Sequence, residues 1–390
     1  DGTALTNDEV TAGGDGFADG EGASYDVTGT ITEVGETANA FTYILNEGTK
    51  ADNYEITKVD GTLTVTEMTA KVTVTITENS GSYMYDGAEH TATGYEVTNI
   101  SNDLYKTGDF TFSGNATVKG TDAGTYNMEL KASDFTNNSK NFSNVEFVIV
   151  DGTLEISKRT VTLTSADDEK VYDGKPLTND EVAVTGAGFA EGEGATYDVT
   201  GTQTAVGSSA NAFTYTLNSN TKAANYDITT TAGTLEVTAL TDKVTVTITE
   251  HSSKETYDGK EKTVTGYDVE NSNPLYTEAD FTFSGNATVK GTDAGTYNME
   301  LKASDFTNNS KNFSNVEFVI VDGTLEISKR TVTLTSADDE KVYDGKPLTN
   351  DEVAVTGAGF AEGEGATYDV TGTQTAVGSS ANAFTYTLNS

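Results

Sequence analysis

One self-match constrains this chain more than any other feature. Asp109–Ser219 returns letter for letter as Asp280–Ser390, 111 residues at an offset of 171. Upstream the match continues more loosely at an offset of 172. Leu5-Thr6-Asn7-Asp8-Glu9-Val10 recurs as Leu177-Thr178-Asn179-Asp180-Glu181-Val182, and Tyr85-Asp86-Gly87 as Tyr257-Asp258-Gly259. A period of this size in 390 residues means one folding unit used several times, each copy packing on its neighbours, in place of one large core. The offset changes by one residue between Tyr95 and Leu104, so a loop that tolerates deletion is expected there.

Each long repeat splits into two related modules. Both open on an alternating strand soon followed by Tyr-Asp-Gly, and both close on Gly-Thr-Leu-x-[Val/Ile]. The A modules are 1–68, 158–240 and 329–390; the B modules are 69–157 and 241–328. The first A opens at the Asp-Gly of its motif and the last stops at Leu388-Asn389-Ser390. The sequence therefore reads as a window on a longer array, and the lack of a leader or anchor in it says nothing of the whole protein.

Period-two patterning makes the modules all-β. Val72, Val74 and Ile76 alternate with Thr73, Thr75 and Thr77; Val161 and Leu163 with Thr162 and Thr164; Phe213, Tyr215 and Leu217 with Thr214 and Thr216. Such runs predict strands with one buried and one wet face. The continuous run Phe147-Val148-Ile149-Val150 predicts a strand covered on both faces. Gly, Asn and Asp clusters such as Glu191-Gly192-Glu193-Gly194 punctuate the strands. Several short strands in each module predict a small antiparallel β-sandwich, Ig-like in kind. At the B-to-A join the inward set sits on Leu154 and Ile156, then on Val161 and Leu163, and this change of phase marks a boundary. With no Gly/Ser or Pro-rich spacer, the array is expected to be a stiff, elongated rod, each module spanning roughly 30–40 Å.

Composition removes several functions. A net charge of -38 opposes nucleic-acid phosphates and anionic lipid headgroups. The 19 Tyr and 16 Phe argue against the disorder that such acidity can bring. Without cysteine there is no disulfide, thiolate metal site or thiol nucleophile. Nothing reads as a membrane-spanning helix. The two histidines, His90 and His251, align with Lys262 and Asn79, so no site built on His recurs from module to module, and both read as surface residues. No catalytic residue is expected, and the chain does not read as an enzyme.

The recurring Tyr-Asp-Gly, at Tyr85-Asp86-Gly87, Tyr172-Asp173-Gly174, Tyr257-Asp258-Gly259 and Tyr343-Asp344-Gly345, reads as a structural turn. Gly accepts positive φ, Asp bonds the local backbone and the Tyr ring packs on its own module's core. Two acidic loops, Asp167-Asp168-Glu169 and Asn179-Asp180-Glu181, gather oxygen donors that could converge on Ca²⁺; solvated loops are the plainer reading, and no cofactor is expected.

Tyr172-Asp173-Gly174, Val206-Gly207, Asn225-Tyr226-Asp227-Ile228 and Gly233-Thr234-Leu235-Glu236-Val237, in that order, resemble the MBG (mostly-β, glycine-rich) and YDG-type repeats of bacterial surface proteins. The B modules depart from the set, with Ala123-Gly124-Thr125-Tyr126 and Asn144-Val145-Glu146-Phe147. The resemblance implies an extracellular, bacterial cell-surface or secreted protein in which such arrays extend a functional tip, and it brings no catalytic residues. The expected function is a structural stalk, whose partners are neighbouring modules of the same chain. An adhesin acting by avidity is the first alternative, with its ligand unknown, and a fibre assembled by strand exchange between cut ends is the second. Lys–Asn cross-links of the kind found in Gram-positive stalks are not expected. Lys71, Lys158, Lys243 and Lys329 sit at the joins, and the closing strands lack Asn.

Overall fold

A computed structural model describes residues 1–389; Ser390, the last residue of the 329–390 module, lies outside the described residues. The described chain is strands and turns, with only short 3-10 turns such as Ala132–Asp134 as helix. Most strand pairings are antiparallel. Two compact units emerge, one of residues 1–164, 182–198 and 214–231, the other of residues 165–181, 199–213 and 232–390. The dividing line runs through the 158–240 module rather than between modules.

The first B module shows how a module is built. Its opening stretch is two strands, Val72–Glu78 and Gly81–Met84, and so is its closing stretch, Val145–Val150 and Thr153–Ser157. Opening and closing strands pair in parallel, Val72 opposite Val145 and Leu154 opposite Gly81. Both stretches therefore leave one sheet and enter the other at the same level. The first sheet adds Tyr95–Ile100 and the second adds Gly124–Asn127, both antiparallel. The alternating pattern decides which face is inside: Val72, Val74 and Ile76 are at most 1 % exposed, and Leu154 and Ile156 at most 2 %. Phe147 packs on Phe110 and Phe135 at ring distances of 5.3 and 5.4 Å.

The crossing level is sealed by a buried carboxylate. Glu78, 3 % exposed, ends the opening strand at an inward position. It accepts the Leu130 N–H at 2.6 Å and the Gly152 N–H at 2.8 Å. Glu129 stands at φ 63, an uncommon backbone setting for a residue with a Cβ, immediately before that Leu130 N–H. Glu250 repeats the arrangement with Leu301 and Gly323, both at 2.7 Å. Where strands leave their ladders, backbone donors lose their partners, and a buried side chain must supply the acceptor.

The 158–240 module uses the same plan with different chemistry. In the first unit, Arg159–Thr164 pairs in parallel with Tyr226–Thr231; in the second, Asp168–Val171 pairs in parallel with Gly233–Thr238. At the crossing Ser165, 1 % exposed, replaces the glutamate. Its Oγ accepts the Gly233 N–H at 2.9 Å and donates to the Asn211 carbonyl at 2.5 Å. Around it the core is small: Leu177, Leu235 and Val237.

Three expectations need correction. Phe147-Val148-Ile149-Val150 is covered on one face only: Val148 and Val150 are 39 and 45 % exposed. The strand pairs with Val72–Glu78 alone, and Val148 and Val150 lie on the same outward face as Thr73, Thr75 and Thr77, away from the core. The residue that changes the offset is not in a loop. In the first copy Thr75 faces Asn99 and Ile76 faces Val97, leaving Thr98 as a bulge inside Tyr95–Ile100. In the second copy Thr247 faces Glu270 and Ile248 faces Val269 without interruption. A bulge absorbs one residue and leaves the facing pattern on either side intact. Tyr215, placed inward by its phase, is 36 % exposed, because Phe213–Leu217 belongs to a two-stranded sheet too small to cover it.

Candidate functional site: the module joint

Each Tyr-Asp-Gly forms a tight turn. Gly87, Gly174, Gly259 and Gly345 have φ of 85, 77, 77 and 76°, and each Asp Oδ1 accepts the N–H two residues on, as Asp86 does from Ala88 at 2.9 Å. The turn aims the tyrosine forward, at the following module. In the first unit the Tyr85 hydroxyl, on a ring 3 % exposed, donates to Glu193 Oε1 at 2.5 Å. The Tyr226 hydroxyl donates to the other oxygen of the same carboxylate at 2.6 Å and accepts the Ala190 N–H at 3.0 Å. The two rings meet edge to face at 5.5 Å. In the second unit Tyr172 packs edge to face on Phe313 at 5.4 Å, and Tyr257 bonds Glu364. Tyr343 is 65 % exposed.

A second clasp lies beside the first. The N–H just before the strand glycine of one module donates to an asparagine of the next. Ala123 donates to Asn225 Oδ1 at 2.9 Å, Val34 to Asn141 Oδ1 at 2.8 Å and Val206 to Asn312 Oδ1 at 2.8 Å. Asn225 is fully buried, and its amide donates to Asp122, which also takes Lys222 Nζ at 2.8 Å. The Lys222 ammonium holds the Asp122 carboxyl below its usual range, with Asn225 adding to the effect. Arg159 completes the joint by donating to the carbonyls of Gly188 at 2.8 Å, Ala187 at 2.7 Å and Tyr85 at 3.3 Å. Arg330 does the same with Gly359, Ala358 and Tyr257.

Burial, then the hydrogen bond to Glu193, pushes the pKa of both Tyr85 and Tyr226 above the usual phenol value, that of Tyr226 to about 12. The folded joint therefore holds its phenolic protons more tightly than the unfolded chain, whose tyrosines titrate near 10. Its contribution is complete below pH 10 and is lost as pH rises through about 12. Tyrosinate absorbance is expected to show two late-titrating groups at this joint. Tyr85→Phe should remove one of them and weaken the joint by about 1.5–3 kcal/mol, the worth of a hydrogen bond to a charged group. An unchanged titration would show that Tyr85 is not held there.

The other sequence candidates do not form a centre. Asp167 Oδ1 accepts the Thr234 N–H at 2.6 Å, Asp168 takes the Asn179 amide at 3.2 Å and Asn179 Oδ1 takes the Glu181 N–H at 3.0 Å. The two loops do meet, at Asp168 and Asn179, but these contacts use their oxygens on the protein itself. Among the described residues no group of three His, Asp or Glu is placed to hold a metal ion. His90 is not a surface residue as expected: it stacks on Tyr83 at 4.1 Å and bonds Asp86 at 2.9 Å, its side chain 16 % exposed. His251 does lie at the surface beside Asp268. Lys71 and Lys243 are half-exposed and pair at 2.5 Å with Glu146 and Glu317. No helix among the described residues is long and apolar enough to cross a membrane.

Residues 70–158 and 243–329 match the family model described as the MBG domain. The chain carries two MBG domains. They overlap 69–157 and 241–328 to within two residues, and 1–68, 159–240 and 330–390 lie outside the matched ranges. No curated protein matches the chain in sequence. Among solved structures it is similar to the N-terminal eight Ig domains of Down Syndrome Cell Adhesion Molecule isoform 1.30.30, at 11 % identity and TM-score 0.14, over 92 % of this chain and 55 % of that one. This chain thus spans about half the length of that structure. It is also similar to the I9-I11 tandem from titin (11 %, TM-score 0.15, 66 and 99 % covered) and to Drosophila OTK extracellular domains 3-5 (12 %, TM-score 0.13, 68 and 99 % covered). Scores this low carry no argument about the present chain. MBG domains occur in surface proteins and are typically non-catalytic structural modules.

The joint gathers most of the signature. The Tyr of Tyr-Asp-Gly, the residue before the mid-module Gly and the Asn of Asn-Tyr-x-Ile all lie in it. The sequence reading assigned the tyrosine to its own module's core and missed Glu193, Asp122 and Arg159. The available signal was that Tyr-Asp-Gly recurs in four modules, while Val-Gly and Asn-Tyr mark the A modules and give way to Ala-Gly and Asn-Val in the B modules.

Proposed function

We propose that this chain is a spacer segment of a bacterial cell-surface or secreted protein, holding a functional tip at a distance from the envelope. The observation that carries the reading is the joint: successive modules meet without a linker, locked by Tyr–Glu clasps where B precedes A and by N–H–Asn clasps at Val34, Ala123 and Val206. Buried hydrogen bonds across a joint resist bending in a way that a flexible linker does not. The charge of -38 supports the same reading, since it keeps parallel copies apart at high density.

Small-angle scattering tests it. A chain lengthened by a second copy of 158–328 should gain maximum dimension by a fixed increment of about 60–80 Å, two modules at the strand rise of 3.3–3.4 Å per residue. A gain much smaller than that, or a profile of freely jointed beads, would sink the spacer reading. The adhesive and fibre-forming alternatives have no observation in the structure that favours them over a spacer.

A further inference from the structure

We propose that the joint is a recognition code: the forward end of a B module fits an A-type socket, and the forward end of an A module fits a B-type socket. The inference rests on the spacer reading and adds what decides the neighbour.

The two kinds of joint share a frame and differ in chemistry. In the first unit the B module offers a hydroxyl on Tyr85, a carboxylate on Asp122 and the Ala123 N–H. The A module answers each: Glu193 accepts the hydroxyl, Lys222 and Asn225 take the carboxylate, and Asn225 Oδ1 takes the N–H. The Glu193 part of the socket is built by the A module itself. In the first A module the hydroxyl of Tyr54 likewise bonds Glu21 and accepts the Ala18 N–H.

A B module cannot present this socket. Tyr226 and Val145 both begin closing strands, opposite Arg159 and Val72 of the opening strands, and so occupy equivalent positions. Counting back from them, Asn225 corresponds to Asn144 and Lys222 to Asn141. The phenol is replaced by an isopropyl group and the cation by an amide, and the Asn144 amide already donates to the Thr69 carbonyl at 3.1 Å. In the second unit the A-to-B joint shows what the B socket does fit. Phe313 receives the Tyr172 ring and Asn312 takes the Val206 N–H. The residue before Val206, where B has Asp122, is Ala205, which carries no charge. Two B modules in succession would leave Asp122 without a cation and the Tyr85 hydroxyl facing a phenylalanine. Two A modules in succession would leave the fully buried Asn225 amide facing Ala205, without its acceptor. Discrimination comes from these unpaired groups as much as from the matched contacts.

Hydrogen exchange at the Ala123 N–H reads the joint directly, with the Val74 N–H as reference inside the same module. Asn286→Gln, at an exposed turn, is added throughout so that the peptide over Ala123 differs in mass from its identical second copy. In the chain lacking 158–240, where B meets B, Ala123 should exchange about tenfold or more faster than in the parent while Val74 is unchanged. Equal protection of Ala123 in the two chains overturns the code. A second variant keeps the A module in place: Lys222→Asn with Glu193→Gln should also speed exchange at Ala123 by about threefold or more, and no change there overturns the code even if the deleted chain fails to fold. Scattering judges the spacer reading and Ala123 exchange judges the code, so either can fail alone.

Discussion

Replacing Glu78 by alanine is expected to unfold most of the first B module while leaving the second intact. The side chain is buried at the level where opening and closing strands change sheets, and it is the acceptor for the N–H groups of Leu130 and Gly152. Alanine leaves both donors buried and unpaired, at an expected loss of about 3–5 kcal/mol. That is a large share of the roughly 5–15 kcal/mol that holds a whole domain together. Glu78→Gln keeps one acceptor oxygen but sets an amide donor against the other N–H, so its loss should be smaller, about 2–3 kcal/mol. Exchange at Val74 and Ile76 reports the damage, and Val246 and Ile248, with Glu250 untouched, serve as reference within the same molecule. If Val74 and Val246 stay equally protected in Glu78→Ala, the carboxylate does not hold the crossing.

Gly233→Ala should be comparably severe in the 158–240 module. A Cβ at Gly233 would lie 2.4 Å from the Ser165 carbonyl oxygen and 2.5 Å from that of Ala166. Both obstacles are backbone, so no rotamer change relieves the clash. The opening and closing strands must part, which also breaks the Gly233 N–H bond to Ser165 Oγ. Overpacking and the lost bond together amount to about 3 kcal/mol or more. Gly108→Ala is the control, because a Cβ there meets nothing within 4 Å. Its effect should stay within about 0.5 kcal/mol. Thermal unfolding of the two variants separates the cases, and similar midpoints would contradict the steric account.

What the sequence made legible follows from what is periodic in it. Val72, Val74 and Ile76 lie inside because alternation fixes the face of a strand, and no long-range knowledge is needed to see it. The Asp-Gly turns were legible for the same reason, since their chemistry is local. The parallel pairing of Val72 with Val145 was not, because 72 intervening residues separate partners that local pattern cannot connect. Glu78 was hidden in another way. In a chain of 61 acidic residues a glutamate at the end of a strand carries no mark of burial until its two backbone donors are seen. Val148 and Val150 misled because an apolar run looks the same whether one face of its sheet is covered or both. The joint was half legible: its motifs stood out by recurrence, but recurrence does not say that a tyrosine spends its hydroxyl on a residue 108 positions away.

The two B modules open on the same seven letters, Val72–Glu78 and Val244–Glu250, and close on the same six, Val145–Val150 and Val316–Val321. During synthesis a closing strand could seek the opening strand of either copy with equal satisfaction, and exchange of this sort is a characteristic failure of repeated domains. The interposed A module opens instead on Arg159–Ser165, whose inward residues end in serine. A chain emerging in order thus meets, as its next free strand, one that offers the wrong seal for the B crossing. Alternation sets the nearest look-alike 172 residues away, and each module can finish folding before its double appears.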